Sequence, residues 1–341
     1  MTPVEPAPEP GPAPVQAPGA SASSILHSAF YRFVHLADPQ AAAGELRELG
    51  RTLGLGGSII AATEGVNGTV AGPVDQVEAF EQRLRAGAAL QGALRGLRFK
   101  RSVCTQPPFG RFKVSVKPEI VALGLPASPP RSAADLPADL PDDLPDDLPD
   151  ERDASHLSPA AWNALLARGE AVVLDNRNHF EFRLGHFRGA VDPGVHHFRD
   201  FVRFVEQQAP AWRAQGRPVA MYCTGGIRCD KTAPWMRSLG LEVFQLEGGI
   251  LNYLQQAKAE GWVDEPDSPA VQAAGDVNSE GVEPCAASTV AWQGECFVFD
   301  RRIALDAHLR ETGTTAEQVF DPAHPDEAWR LQRARRLDEA D

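Results

Sequence analysis

No apolar run in the sequence approaches the roughly 18–20 residues that a membrane-spanning helix needs, so no spanning segment and no membrane partner are expected. Cysteine is also scarce. Five cysteines in 341 residues are too few, and too scattered, for a disulfide framework. They point instead to reduced thiols in a cytoplasmic setting. The first residues carry neither a basic start nor an apolar core, so a secretory signal is not expected. No pair of cysteines or histidines stands at a common metal-ligand spacing, and no flavin signature is present. Neither a metal site nor a bound cofactor is therefore expected, and nothing marks a protein partner. Finally, the stretch from Gln91 to Pro118 lacks acidic residues while holding seven basic ones. The formal net charge of −13 thus conceals a local basic surface.

The missing acid is concentrated elsewhere. Nine acidic residues lie between Asp135 and Asp153, in a repeat of Asp-Leu-Pro every four residues. Proline at this density forbids helix and removes sheet donors, and like charges extend the chain. Residues 126–155 therefore read as an extended acidic linker. Residues 1–24, rich in Pro, Ala, Gly and Ser, read as a disordered tail. Two globular blocks remain, with a C-terminal extension at 262–341 in which Cys296 to Phe299 reads as a short strand, and 264–290 and the last thirty residues read as loops and polar tail.

In the first block, 25–125, Phe30 to Leu36 reads as a strand and Gln40 to Leu55 as a helix with apolar spacing at Leu46, Leu49 and Leu53. Ser58 to Ala62 and Thr69 to Ala71 read as strands around a turn at Glu64 to Gly68, where Asn67-Gly68 supplies positive φ. A helix at Asp75 to Ala86 and strands at Leu97 to Val103 and Phe112 to Val116 follow. The order β-α-β-β-α-β predicts a ferredoxin-like α+β sandwich. The second block, 156–261, opens with the helix start Ser158-Pro159. It alternates strands at Val172 to Leu174, Val219 to Tyr222 and Val243 to Leu246 with helices at Phe198 to Gln208, Cys229 to Leu239 and Ile250 to Ala259. That alternation predicts an α/β domain with a parallel sheet, and ligands bind at the carboxyl ends of such strands.

Cys223 sits at one of those ends. The loop Cys223-Thr224-Gly225-Gly226-Ile227-Arg228 leads directly into a helix, so backbone N–H groups are expected to point at the sulfur. Gly225 and Gly226 let the chain fold tightly, and Arg228 brings a positive charge. Both devices lower a thiol pKa. The cradle suits a thiolate, a persulfide sulfur or an oxyanion. Four residues separate Cys223 from Arg228, one fewer than in cysteine-dependent phosphatases, which favours a persulfide sulfur over a phosphate. The bland reading is a buried cysteine beside a glycine turn. Cys229, six residues on, is either a small core residue or a thiol that resolves an oxidised Cys223. Asp175 and Arg177 end a neighbouring strand and are candidates to face the same pocket.

These residues resemble a rhodanese-type domain, and the wider pattern resembles the rhodanese-domain tRNA uridine hydroxylases. The stretches Glu64 to Val70, Asp175 to Asn178, Met221 to Cys229, Leu246 to Leu251 and Trp292 to Asp300 match that family in order, across roughly residues 28–304. The resemblance implies oxygen-dependent hydroxylation of the wobble uridine of tRNA to 5-hydroxyuridine, with O2 as co-substrate, an unidentified reductant and the rhodanese-loop cysteine, here Cys223, as the essential residue. The chain departs mildly, with Asn176 where the family has Thr and Asp230 where Glu is usual. The alternative is a sulfurtransferase passing a persulfide sulfur from Cys223. It leaves the basic stretch of the first block without a role. That stretch supplies the RNA-binding candidates Arg98, Lys100, Arg101, Arg111, Lys113 and Lys117, interleaved with Phe99, Phe109 and Phe112. Phosphate contact by the cations is the expectation, with stacking by the aromatics secondary.

Overall fold

The computed structural model describes residues 24–86, 90–125, 154–263 and 290–338. Nearly all of the 1–24 tail, the Asp-Leu-Pro repeat and the stretch 264–289 lie outside these residues.

The first domain is a five-stranded sheet in the order β4-β1-β3-β2-β5, built from β1 (Ile25–Phe33), β2 (Gly56–Ala62), β3 (Gly65–Pro73), β4 (Lys100–Cys104) and β5 (Phe112–Val116). Helices α1 (Pro39–Thr52) and α2 (Val74–Arg85) supply Leu46, Val77, Phe80 and Leu84 to a core shared with Phe30, Ile59, Val66 and Val70. The Asp38 carboxylate caps α1 by accepting from Gln40 N and Ala41 N. The β-α-β-β-α-β order holds, with a fifth strand that runs parallel to β2.

Several boundaries differ from the sequence reading, and two of them are informative. The β2–β3 turn is Thr63-Glu64, because Ala62 pairs with Gly65, and Asn67-Gly68 lies inside β3 rather than in the turn. Packing sets this register. A Cβ on Gly68 would stand 2.8 Å from the Phe30 ring, and Asn67 Nδ2 donates to Ile120 O. Strand β1 begins five residues earlier than Phe30, since its whole length from Ile25 to Phe33 pairs with β3.

The second domain is a parallel sheet in the order β6-β10-β9-β7, comprising β6 (His156–Leu157), β7 (Val172–Asp175), β9 (Val219–Tyr222) and β10 (Val243–Leu246). Strands β7 and β9 are buried on both faces. Val172, Leu174, Val219 and Met221 pack with α5 (Phe201–Ala214) and α6 (Ile227–Ser238). Val173, Ala220, Tyr222 and Leu246 pack with α3 (Pro159–Arg168) and α7 (Gly249–Ala259). Alternate residues thus fill opposite layers. Ser158 Oγ caps α3 by accepting from Ala161 N at 3.2 Å, as the sequence predicts.

A short helix α4 (His179–Leu184) and strand β8 (Gly185–Phe187) follow β7, in a stretch where the sequence shows no periodicity. The C-terminal segment is a further correction. The last thirty residues, read as loops and tail, carry two helices, while the short strand expected at Cys296 to Phe299 is present over Cys296–Phe297. Strand β11 (Trp292–Gly294) pairs with β8, and β12 (Cys296–Phe297) pairs with β13 (Ala304–Leu305). Helices at Ala316–Val319 and Pro325–Asp338 enclose a small core of Phe180, Phe297, Val319, Phe320 and Leu331.

Candidate active site

Cys223 ends the central strand β9 and is fully buried. Gly226 N–H donates to its sulfur at 3.1 Å. Gly226 caps α6 with φ 99°, a conformation open to glycine but strained for other residues, and this aims the start of the helix at the sulfur. Burial alone pushes the Cys223 thiol up. The Cys229 S–H hydrogen bond, the Arg228 charge and backbone N–H groups of Cys229 and Arg228 outweigh it and hold the pKa at about 5, against 9.0 for an unperturbed thiol. Cys229 is pushed the opposite way, by its own burial and by the Cys223 thiolate. At neutral pH the pair is therefore one thiolate and one thiol that donates to it.

Arg228 does not project a free charge. Its guanidinium forks onto the Glu181 carboxylate, at 2.8 and 2.7 Å, and Glu181 is fully enclosed. Burial raises the Glu181 pKa, but Arg228 draws it below the usual carboxylate range. Glu181 also accepts from Asn178 N, closing a capping box at the start of α4. Thr224 Oγ1 lies 3.5 Å from Glu181 Oε1 and 3.4 Å from Arg228 Nη2.

A second glycine pair supports the loop from behind. Ile250 N and Leu251 N of α7 donate to Cys223 O and Thr224 O at 3.0 and 3.1 Å. Gly249 makes this approach possible, since a Cβ there would stand 2.4 Å from Cys223 O. The first domain holds the loop from the other side. Lys100 of β4 donates to Gly225 O and to Gly248 O. Tyr31 Oη donates to Asp230 Oδ2 at 2.7 Å. Lys231 is enclosed by Glu64 and Glu119 and also donates to Val121 O. The hairpin tip at Glu64 therefore reaches across to α6.

The other expected site residues fall in three places. Asp175 and Arg177 are fully buried and paired with each other at 2.8 and 2.6 Å, so they do not face an open pocket. Arg177 packs against the Tyr222 and Trp292 rings and donates to Gly185 O, which ties β11 to the parallel sheet. Among the basic candidates, Lys100 is engaged by the loop and Arg101 by Glu81, whose carboxylate also accepts from Ser28 Oγ. Arg98 is half-buried, and Arg111, Lys113 and Lys117 are exposed. Phe99 is in the core, Phe112 packs against it, and Phe109 is half-buried over His27. Among the described residues no cluster of His, Cys, Asp or Glu is arranged to hold a metal, and no helix is long and apolar enough to cross a membrane.

Residues 25–120 match the UPF0176 acylphosphatase-like domain, and residues 158–256 match the rhodanese-like domain. Over most of its length the chain is similar to proteins named tRNA uridine(34) hydroxylase. That of Nitrobacter winogradskyi is 38% identical over 301 residues, covering 88% of this chain and 98% of that protein. That of Synechococcus elongatus is 39% identical, covering 84% of this chain and 87% of that protein. That of Deinococcus radiodurans is 36% identical, covering 89% and 81%. The chain belongs to this family.

The structure adds three parts of the site that sequence reasoning missed. Glu181 was visible only as the third residue after the helix cap Asn178, the spacing of a capping box. Gly248-Gly249 follows strand β10 much as Gly225-Gly226 follows β9, and that echo was the available signal. Lys100 carried a charge signal but no indication that its partner lay in the other domain.

Proposed function

We propose that the chain hydroxylates carbon 5 of uridine 34 in tRNA, and that Cys223 is the residue on which the reaction depends. The observation that carries the cysteine assignment is the buried thiolate at the end of β9, held at about 5 by a donating thiol, the Arg228 charge and backbone dipoles. The family relationship carries the substrate. A tRNA substrate implies a cytoplasmic reaction. Replacing C5–H by C5–OH with O2 consumes two electrons and two protons and releases one water, so a two-electron donor is required. What the chain itself supplies is a soft nucleophile kept ionised at neutral pH and enclosed from bulk water. Arg228 and Glu181 fix the mouth of the loop as a neutral pair, and Thr224 hydrogen-bonds with both. Arg111, Lys113 and Lys117, exposed on and beside β5, are the proposed phosphate contacts.

The test is nucleoside mass spectrometry of total tRNA from cells that lack the protein and any parallel pathway. Complementation with wild type restores 5-hydroxyuridine derivatives, and complementation with Cys223→Ser does not. Failure of wild type to restore them overturns hydroxylation. Thiosulfate turnover with a persulfide on Cys223 would then favour sulfur transfer. Full restoration by Cys223→Ser overturns the cysteine assignment alone.

A further inference from the structure

We propose that Phe299 is the platform on which the target pyrimidine stacks as it enters the site, an inference that rests on the tRNA reading above. Phe299 is 63% exposed, one of three large apolar side chains left open to solvent among the described residues. Exposure of one aromatic is ordinary, but its position is not. The Phe299 ring lies 5.9 Å from the guanidinium carbon of Arg228, the residue that closes the Cys223 loop. Phe198 meets the same guanidinium at 5.9 Å and is buried, so Phe299 is the solvent-facing member of this pair.

The ring is also held. Phe297 packs edge-on against it at 5.0 Å. The tip of its hairpin is clamped by Arg302, which forks onto Asp300 at 2.8 and 2.6 Å and donates to Ser102 Oγ of β4. Val298 N donates to Ile303 O, and Arg301 N to Pro108 O. A planar apolar group, fixed at the rim of the site and bordered by a cation, is the chemistry that receives an unstacked base. The aromatics first considered for this role, Phe99, Phe109 and Phe112, are committed to packing, so the C-terminal hairpin supplies what the basic strands lack.

The experiment measures binding of the full chain to two anticodon stem-loops, one with uridine at position 34 and one abasic there. Wild type binds the uridine form more tightly, by roughly tenfold for one base stack. Phe299→Ala is expected to bind both forms equally, and Phe299→Trp to keep the preference. Unchanged thiolate absorbance of Cys223 in both variants shows that the cradle is intact. Light-induced crosslinking from 5-iodouridine at position 34 is expected to mark Phe299. A preference that persists in Phe299→Ala, or crosslinks confined to other residues, overturns the proposal. A wild type that binds neither stem-loop overturns the proposed function, and this inference with it.

Discussion

Replacing Cys229 by alanine removes the first of the interactions that hold Cys223 ionised. With a pKa of about 5 instead of 9.0, Cys223 is about 99% thiolate at pH 7 rather than about 1%. One hydrogen bond to a charged group contributes about 1.5–3 kcal/mol. At about 1.36 kcal/mol per pH unit, its loss raises the Cys223 pKa by about one to two pH units. Cys229→Ser keeps a donor and is expected to move it less. Thiolate absorbance in the ultraviolet reads this directly and needs no reagent to enter a buried site. The background is favourable, because Cys229 is raised well above its usual value, Cys296 is pushed up to about 12 and Cys104 is raised, each chiefly by burial. Cys285→Ser removes the remaining thiol. Stability follows the same shift. A thiol whose folded pKa lies below its unfolded value stabilises the fold fully above pH 9, by roughly 3 kcal/mol at pH 7, and not at all once pH falls through 5. Cys229→Ala is therefore expected to lose more stability at pH 7 than below pH 5, where only the pH-independent packing cost of the missing sulfur remains. A wild-type midpoint above pH 8, or a Cys229→Ala midpoint equal to wild type, refutes this account of the cradle.

Three further outcomes follow from the contacts between domains and from the exposed cations. Lys231→Met leaves Glu64 and Glu119 without their shared cation, and should cost about 3–5 kcal/mol in thermal unfolding, with Glu64→Gln and Glu119→Gln added to it recovering part. Lys100→Met removes the charged donor that bridges Gly225 O and Gly248 O, and should cost about 1.5–3 kcal/mol in thermal unfolding as well as lower hydroxylation by the folded protein. Joint reversal of Arg111, Lys113 and Lys117 to Glu should weaken tRNA binding and lower the slope of log affinity against log salt by about 2–3; an unchanged slope removes these residues from the interface.

The sequence shows the chemistry of the Cys223 loop almost completely, because the nucleophile, its glycines and its arginine are contiguous and their roles follow from a strand-loop-helix turn. It hides whatever depends on a partner distant along the chain. Glu181 lies 47 residues before Arg228, and Lys100 lies 125 before Gly225, so Arg228 read as a loop charge without its counterion and Lys100 as an RNA contact. Asn67-Gly68 failed as a turn because the lack of a side chain at Gly68 answers the Phe30 ring, a packing demand that outranks local preference. The helix Pro325–Asp338 was missed because it inserts little apolar surface, chiefly Leu331, with Trp329 left 41% exposed.

The charge layout explains why the cradle suits a single anionic sulfur. A buried arginine without a counterion would attract any anion, phosphate included, and would itself be costly to enclose. Glu181 cancels it at contact distance, so Arg228 acts on Cys223 as half of a neutral pair. The selectivity then rests on groups with fixed direction, the Gly226 N–H and the Cys229 S–H, converging on one atom. Gly249 and the start of α7 hold the carbonyls of that loop from behind, while Lys100 ties Gly225 to Gly248 from the first domain. The loop that carries the thiolate is thus set by contacts from both domains. The first domain helps hold the Cys223 loop, a structural contribution separate from its proposed contacts with RNA.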